Sequence, residues 1–239
     1  FCHTFSRAGL LEAQLQYRFS AFNYYSFLPS PLFYNPTYAA AGKTPEAPGQ
    51  TLNDIAFRVG FSSPTGSPGR WHAALRTRYF GMRDLYIPGY DGLQTLKATR
   101  ETLIGAEGGY SFAWNCGSSL GIDADLSALL YNNPEYFGNL AAPSDYAMLR
   151  LRPYYSFTRD NLIVSVGAAI DLAFNAPGSD AGSHYSLFHI APDVKADLKA
   201  GPVGLYIHLG GGSALQTLSG NFERFYYTMP ALACAQPVY

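Results

Sequence analysis

The sequence predicts an all-β protein, an antiparallel up-and-down transmembrane β-barrel, and three observations support this prediction. Apolar and polar residues alternate with a period of two in nine separate stretches of the chain. Short and long connections between these stretches alternate without exception. Several stretches run for about nine to twelve residues, which suits a tilted bilayer crossing better than a soluble strand of about five or six.

The first clear strand runs from Leu11 to Ala21. Its odd positions are apolar, whereas its even positions carry Glu, Gln, Arg and Ser. One face is therefore apolar and the other polar, which is typical of a strand between two unlike environments. A strand is also expected at Phe1–Phe5, and the pattern returns at 54–61, 70–79, 104–114, 120–130, 147–157, 162–174, 188–199 and 203–210. No charged residue lies on the apolar side of these stretches.

The connections divide into two classes that alternate along the chain. The short ones span 6–9, 62–69, 115–119, 158–161 and 200–202. The long ones span 23–53, 80–101, 131–146, 175–187 and 211 onward. Consecutive hairpins with every long loop at one end are typical of outer-membrane barrels, whose short turns face the periplasm. We therefore expect about ten strands of a larger barrel, located in a bacterial outer membrane.

Aromatic residues collect near both ends of the predicted strands, as two membrane interfaces require. On the short-turn side they are Trp71, Tyr110, Phe112, Trp114, Tyr155 and Phe157. On the long-loop side they are Phe22, Tyr24, Tyr25, Tyr79, Phe174 and Phe188. The expected partners are the lipid bilayer and lipopolysaccharide. The alternative is a soluble β-sandwich or lipocalin-like barrel, in which the apolar face points inward.

Composition argues against nucleic-acid binding and against helical membrane spans. The net charge of −1 leaves no basic surplus for a phosphate backbone, so nucleic acid is not an expected partner. No run of about 18 apolar residues occurs, which excludes helical membrane spans. The chain starts without Met or a signal peptide, and both ends resemble cuts within a longer protein. We expect residues 1–239 to be one barrel portion, truncated at both ends, without a plug domain.

The polar face of the predicted barrel carries the candidate site residues, which we expect to face the lumen. They are Arg58, Arg76, Arg78, Glu107, Asp123, Asp125, Arg150, Arg152, Asp171, Asp193, Lys195 and Asp197. One interpretation is a charged wall that contacts a plug or a solute. The other is mutual pairing in a wet lumen, for which Asp54 beside Arg78 across a hairpin is an example.

A barrel enzyme is the third class considered, and it needs a nucleophile with a base, or an acid and base pair. The candidates His72, His184, His189 and His208 form no triad or metal cluster by their predicted positions, with Lys195 opposite His208 and Asp197 opposite Tyr206. We therefore expect no enzyme activity, no cofactor and no metal. The aromatic residues of the long loops could bind a sugar or simply order the loops.

Several strings resemble TonB-dependent receptor-like outer-membrane barrels. They are the stretch 17–25 (YRFSAFNYY), 151–155 (LRPYY) with the hairpin through 162–169, 190–194 (IAPDV), and 205–210 (LYIHLG) leading to 229–232 (MPAL). This resemblance implies a barrel of about 22 strands around an N-terminal plug, and uptake or binding of a nutrient ligand with the TonB system as partner. The alternative function is a non-transporting structural or assembly barrel that binds partner proteins, such as a surface lipoprotein.

Overall fold

The computed structural model describes residues 2–5, 9–23, 49–64, 69–82, 84–86, 95–97, 100–115, 117–132, 145–177, 184–215 and 217–224. Ten strands form one antiparallel sheet in which neighbours along the chain pair with each other. They are β1 (Cys2–Phe5), β2 (Gly9–Asn23), β3 (Gly49–Ser62), β4 (Gly69–Met82), β7 (Arg100–Asn115), β8 (Ser118–Asn132), β9 (Tyr146–Arg159), β10 (Leu162–Pro177), β11 (His184–Ala200) and β12 (Val203–Gly210). Between β4 and β7 lies a small hairpin, β5 (Asp84–Tyr86) with β6 (Thr95–Lys97).

The predicted all-β, up-and-down antiparallel sheet is confirmed, and within the described residues the sheet is open rather than closed. The strands are longer than predicted, because β3 begins at Gly49 and β4 continues to Met82. Residues 49–53 and 80–82 were expected in loops because their side chains break the apolar alternation. Backbone pairing continues through them, as Phe22 with Gln50 and Asn53 with Gly81 illustrate.

The second correction concerns the segment after β12, which was expected to be only a long outer loop. It contains a helix, α1 (Leu218–Arg224), that begins after an N-cap residue, Thr217. The Thr217 hydroxyl accepts a hydrogen bond from the Gly220 backbone N–H at 2.9 Å. Within the described part of the chain, no helix is both long and apolar enough to cross a membrane.

The two faces of the sheet differ in polarity. We call the face that contacts α1 the inner face and the opposite one the outer face. Residues that pair across strands share a face, and one outer row is apolar throughout. It consists of Ala13, Val59, Leu75, Ala106, Leu126, Leu149, Leu172 and Phe188. Leu75 in this row is 61% exposed, whereas Asp54 and Glu101 on the inner face are 4% and 1% exposed.

This distribution is the reverse of that in a soluble β-sandwich or lipocalin-like barrel, which buries its apolar face. Large outer-face side chains such as Leu15, Ile122 and Ile190 are exposed, while buried carboxylates lie inside. Of the predicted aromatic belts, Trp71, Tyr110, Phe112, Tyr155, Tyr79, Phe174 and Phe188 are exposed. Tyr24, Tyr25 and most aromatic residues of the long loops lie outside the described residues.

An apolar core occupies the inner face at the end where the long connections lie. Phe222 of α1 packs there against Phe80, with their ring centroids 5.8 Å apart. The core consists of Leu52, Phe80, Met82, Leu129, Tyr131, Tyr146, Leu218 and Phe222. Phe22 was expected in the outer aromatic belt, but its ring lies 5.8 Å from that of Phe222. The reason is that Phe22 has the same strand parity as Arg18 and therefore faces inward.

The short turn between β7 and β8 provides a prediction about stability. Gly117 has a φ of 104°, and a Cβ added there would lie 2.2 Å from the Thr158 carbonyl oxygen. We expect Gly117→Ala to lower the free energy of unfolding by about 1–2 kcal/mol, measured by denaturant titration of the refolded protein. The matched control is Gly204→Ala, because an added Cβ there meets nothing within 4 Å. Equal effects of the two substitutions would contradict the close approach at Gly117.

Candidate site on the inner face of the sheet

A polar cavity of about 400 Å³ lies on the inner face, beside the apolar core. We call it the inner-face pocket. Strands β4, β7, β8 and β9 form its floor, and Leu215 contributes to its rim from the segment after β12. Its charged and titratable lining residues are His72, Arg76, Glu107, Asp123, Asp125, Arg150 and Arg152. A cavity of this size is within the range of small-molecule sites, although the lining is unusually polar.

Strand pairing brings these side chains together in adjacent rows. Glu107, Asp125 and Arg150 form one row across β7, β8 and β9. Asp123 and Arg152 lie opposite each other in the next row, toward the short turns. Each strand directs every second side chain to this face, so the period-two pattern that defines the face also assembles the pocket.

The absence of a side chain at Gly105 leaves room for a long arginine on the neighbouring strand. A Cβ added at Gly105 would lie 2.5 Å from Arg76 Nε. Arg76 therefore extends across β7 and reaches β8, where its Nη2 lies 2.7 Å from an Asp125 carboxylate oxygen and 2.7 Å from Ser127 Oγ. Arg76 Nη1 also lies 3.9 Å from Glu107.

Two further ion-pair clusters lie on the inner face. On β3 and β4, Asp54 accepts hydrogen bonds from Arg78 Nε and Nη2 at 2.8 and 2.7 Å. It also accepts one from Arg18 at 2.8 Å. The sequence-based pairing of Asp54 with Arg78 is thus confirmed. On β9 and β10, Arg150 Nε donates to the 1% exposed Asp171 at 2.6 Å.

The remaining predicted residues do not line the pocket. Asp193 lies 2.9 Å from His208 Nε2 and 3.3 Å from Lys195 Nζ. Lys195 pairs opposite His208 and Asp197 opposite Tyr206, as the sequence predicts. Arg58 forms an ion pair with Glu107.

The twelve predicted charged residues therefore share the inner face but divide into separate groups. Most of them satisfy one another, which supports mutual pairing as their main local role. Asp123 and Arg152 differ, because they pair in the strand register without forming an ion pair, and Asp123 lies only 3.9 Å from His72. Within the described residues Arg152 has no carboxylate within ion-pair distance, and it lines the pocket.

The histidines show limited potential for catalysis. His208 has an acidic neighbour, Asp193, at 2.9 Å, and His72 has Asp123 at 3.9 Å. The side chain of His184 lies outside the described residues. Among the described His, Cys, Asp and Glu residues, no group of three is placed to hold a metal ion.

Sequence reasoning missed two contributors to this region, Glu101 and the segment Ser213–Arg224. Glu101 was placed at the end of a predicted loop, although its odd position matches the inward-facing residues of β7. The helix signal was an N-cap threonine with apolar Leu218 and Phe222 four residues apart, but Gly220 weakens it.

The pocket presents guanidinium donors and carboxylate acceptors around a polar space, which suits water and small charged or polar solutes. No protein-family model, curated protein or solved structure matches the chain.

Proposed function

We propose that this chain forms part of a bacterial outer-membrane β-barrel of the TonB-dependent receptor type, and that its inner face binds a polar nutrient during uptake. The observation that carries the proposal is the reversed polarity of the sheet. Apolar side chains cover the exposed outer face, and carboxylates are buried on the inner one. In water, each exposed Leu or Phe would lack the stabilisation of about 1.5–3 kcal/mol that full burial provides. In a membrane, lipid acyl chains would cover these side chains.

Strand length supports the same proposal. The strands from β2 to β4 and from β7 to β11 contain 14 to 17 residues. A bilayer crossing at a tilt of about 45° needs about 9–11 residues. The strands are therefore long enough to cross the hydrocarbon and to extend into the water on one side. Arg100 and Arg159 lie at strand ends, where charge is tolerated.

The inner-face pocket supports the binding of a polar ligand. Its lining includes Arg152 and Asp123, which are opposite in charge and directly across from each other without an ion pair. A solute that carries both donor and acceptor groups could bridge the two side chains. The resemblance to TonB-dependent receptors adds the class of process, which is nutrient uptake.

A structural or assembly barrel that moves no solute is the second candidate. The observation that favours it is the apolar core around Phe80 and Phe222, which fills the inner face beside the pocket. Energy-dependent uptake distinguishes the two candidates. Vesicles that contain the full-length protein and an energised TonB system should take up small polar solutes faster than vesicles without the protein if the first proposal is correct, and at the same rate if the second is.

Membrane location is tested by expressing the full-length gene in a Gram-negative host. We expect the protein in the outer-membrane fraction, with the heat-dependent change in gel mobility that folded barrels show. Recovery in the soluble fraction, or a stable fold in water without detergent, would overturn the proposal.

Reversing the charge of Arg152 tests whether the inner-face pocket lines the lumen of the barrel. In planar bilayers, with any plug domain of the full-length protein deleted, we expect Arg152→Glu to shift the reversal potential in a salt gradient toward cation selectivity, because lumen charges set the local ion concentration. The control is Arg159→Glu, the same charge change on the same strand at an exposed end beside the turn. If both variants shift the reversal potential equally, the pocket does not line the conducting path.

A further inference from the structure

The described residues 213–215 and 217–224, which together we call the strap, follow β12 and contact the inner face instead of extending outward. Three sets of contacts hold it there, on β10, on β7 and on β4. The hydrogen bonds among these contacts span sequence separations of 42 to 145 residues.

The first set lies at the start of the strap. The Ser213 backbone N–H donates a hydrogen bond to the Asp171 carboxylate, and the Ser213 carbonyl accepts one from Arg150. Arg150 lines the inner-face pocket, and Asp171 orients it through two hydrogen bonds at 2.6 and 3.3 Å. The strap is thus attached to a residue of the pocket itself.

The second set centres on Glu101. Its carboxylate accepts hydrogen bonds from the backbone N–H groups of Leu218 and Ser219 at 2.6 and 3.3 Å. It also accepts one from the Ser219 hydroxyl at 2.9 Å, and one from the Tyr131 hydroxyl at 2.9 Å. A carboxylate at the first turn of a helix satisfies N–H groups that otherwise lack partners and interacts favourably with the helix dipole. Glu101 therefore joins the start of α1 to β7 and β8.

The third set lies at the end of the strap. Glu223 forms ion pairs with Arg78 at 2.5 Å and with Arg18 at 3.7 Å. Phe222 packs against the rings of Phe80 and Phe22. Both ends of α1 are held by charged groups, and its middle is held by aromatic packing.

We infer that the strap controls access to the inner-face pocket from the long-connection end. The hydrogen bonds to the Glu101 carboxylate keep the strap docked and the pocket closed. Leu215 carries the geometric argument, because it lines the pocket and also packs against the apolar core. The strap therefore crosses the boundary between the two regions. This inference rests on the proposed function, since it assigns a control element to the proposed binding site.

The length of α1 explains why docking can act as a switch. A helix of seven residues is too short to be stable alone in water. Its helical structure therefore depends on the contacts with the sheet, so undocking and unfolding occur together. Loss of one contact should weaken the others, and the strap should open as a unit.

Cysteine labelling tests the inference on the full chain folded in detergent or vesicles, with Cys2, Cys116 and Cys234 replaced by Ser. The reporter is Met148→Cys, because Met148 lines the pocket and is buried. We expect Glu101→Gln to increase its rate of reaction with a charged methanethiosulfonate reagent by about 10- to 100-fold, since the open fraction depends exponentially on the docking free energy. The matched control is Glu12→Gln, an exposed inner-face carboxylate for which no contact with the strap is described. It should leave the rate unchanged.

A second variant keeps the inference testable if Glu101→Gln fails to fold. Phe222→Ala leaves every strand residue unchanged but removes the packing of the strap against Phe22 and Phe80, so it should also accelerate labelling, with gel mobility reporting whether the barrel is folded. Unchanged labelling in a folded Phe222→Ala or Glu101→Gln protein would overturn the inference. Faster labelling in a protein that shows no uptake into vesicles with an energised TonB system would support the strap but contradict the proposed uptake function, so the two failures are distinguishable.

Discussion

Leu126→Arg is expected to lower the free energy of unfolding from a lipid bilayer by about 2–4 kcal/mol, the cost of Arg at the midplane of a transmembrane barrel. Leu126 lies near the middle of β8, on the outer face, and is 47% exposed. In water, Arg at an exposed position would cost little. The large effect arises only if acyl chains surround this position. Denaturant titration of the protein in lipid vesicles measures it.

The matched control is Asn132→Arg on the same strand. Asn132 is exposed at the long-connection end of β8 and lies six residues from Leu126, on the same face. There the charge can reach the interface, so we expect a loss of about 0–1 kcal/mol. Equal small losses at the two positions would show that the outer face does not contact hydrocarbon, and the membrane proposal would fail.

The sequence predicted the sheet and its two faces because both depend on a single local rule. Side chains of a strand alternate in direction, so Leu75 and Arg76 had to lie on opposite faces whatever their partners. Consecutive hairpins then fixed the neighbours of each strand, and simple counting from the turn correctly placed Lys195 opposite His208. The predicted charged residues were found on one face for the same reason.

The sequence could not predict which charges form ion pairs. Arg76 pairs in register with Gly105, yet its guanidinium reaches Asp125 one strand further on. Asp123 and Arg152 lie opposite each other without an ion pair. A long side chain can reach several rows, and its choice depends on room left by neighbours such as Gly105 rather than on its own position in the pattern.

The strap was missed because its stability is not local. Its helix contains Gly220 and is too short for helical periodicity to be recognised. Its partners lie far away in the chain, with Glu101 117 residues before Leu218. Tertiary contacts rather than propensity form this element, so a pass along the sequence assigned it to a loop.

Asp54→Ala is expected to lower the free energy of unfolding by about 2–3 kcal/mol. Asp54 is almost fully buried and accepts hydrogen bonds from both Arg18 and Arg78. Removing one partner of a buried ion pair costs about 3–5 kcal/mol. The loss here should be smaller, because both arginines are partly exposed and solvent screens their charge. Denaturant titration in vesicles measures the loss.

The control for this substitution is Glu12→Ala, which also removes an inner-face carboxylate near an arginine. Glu12 is 54% exposed and lies 3.9 Å from Arg58, so its loss should cost less than about 0.5 kcal/mol. Equal destabilisation by Glu12→Ala and Asp54→Ala would show that burial is not the reason for the large contribution of Asp54 to the free energy of unfolding.

Arg78 links Asp54 to Glu223 of the strap, so the effects of losing these two carboxylates should not be additive. After Asp54→Ala, Glu223 is the remaining described carboxylate beside Arg78, and it should carry more of the interaction. We therefore expect the double substitution with Glu223→Ala to cost about 1 kcal/mol more than the sum of the single ones. Strict additivity would mean that Arg78 binds the sheet and the strap independently. Coupling would make the Asp54 cluster part of the mechanism that keeps the strap docked.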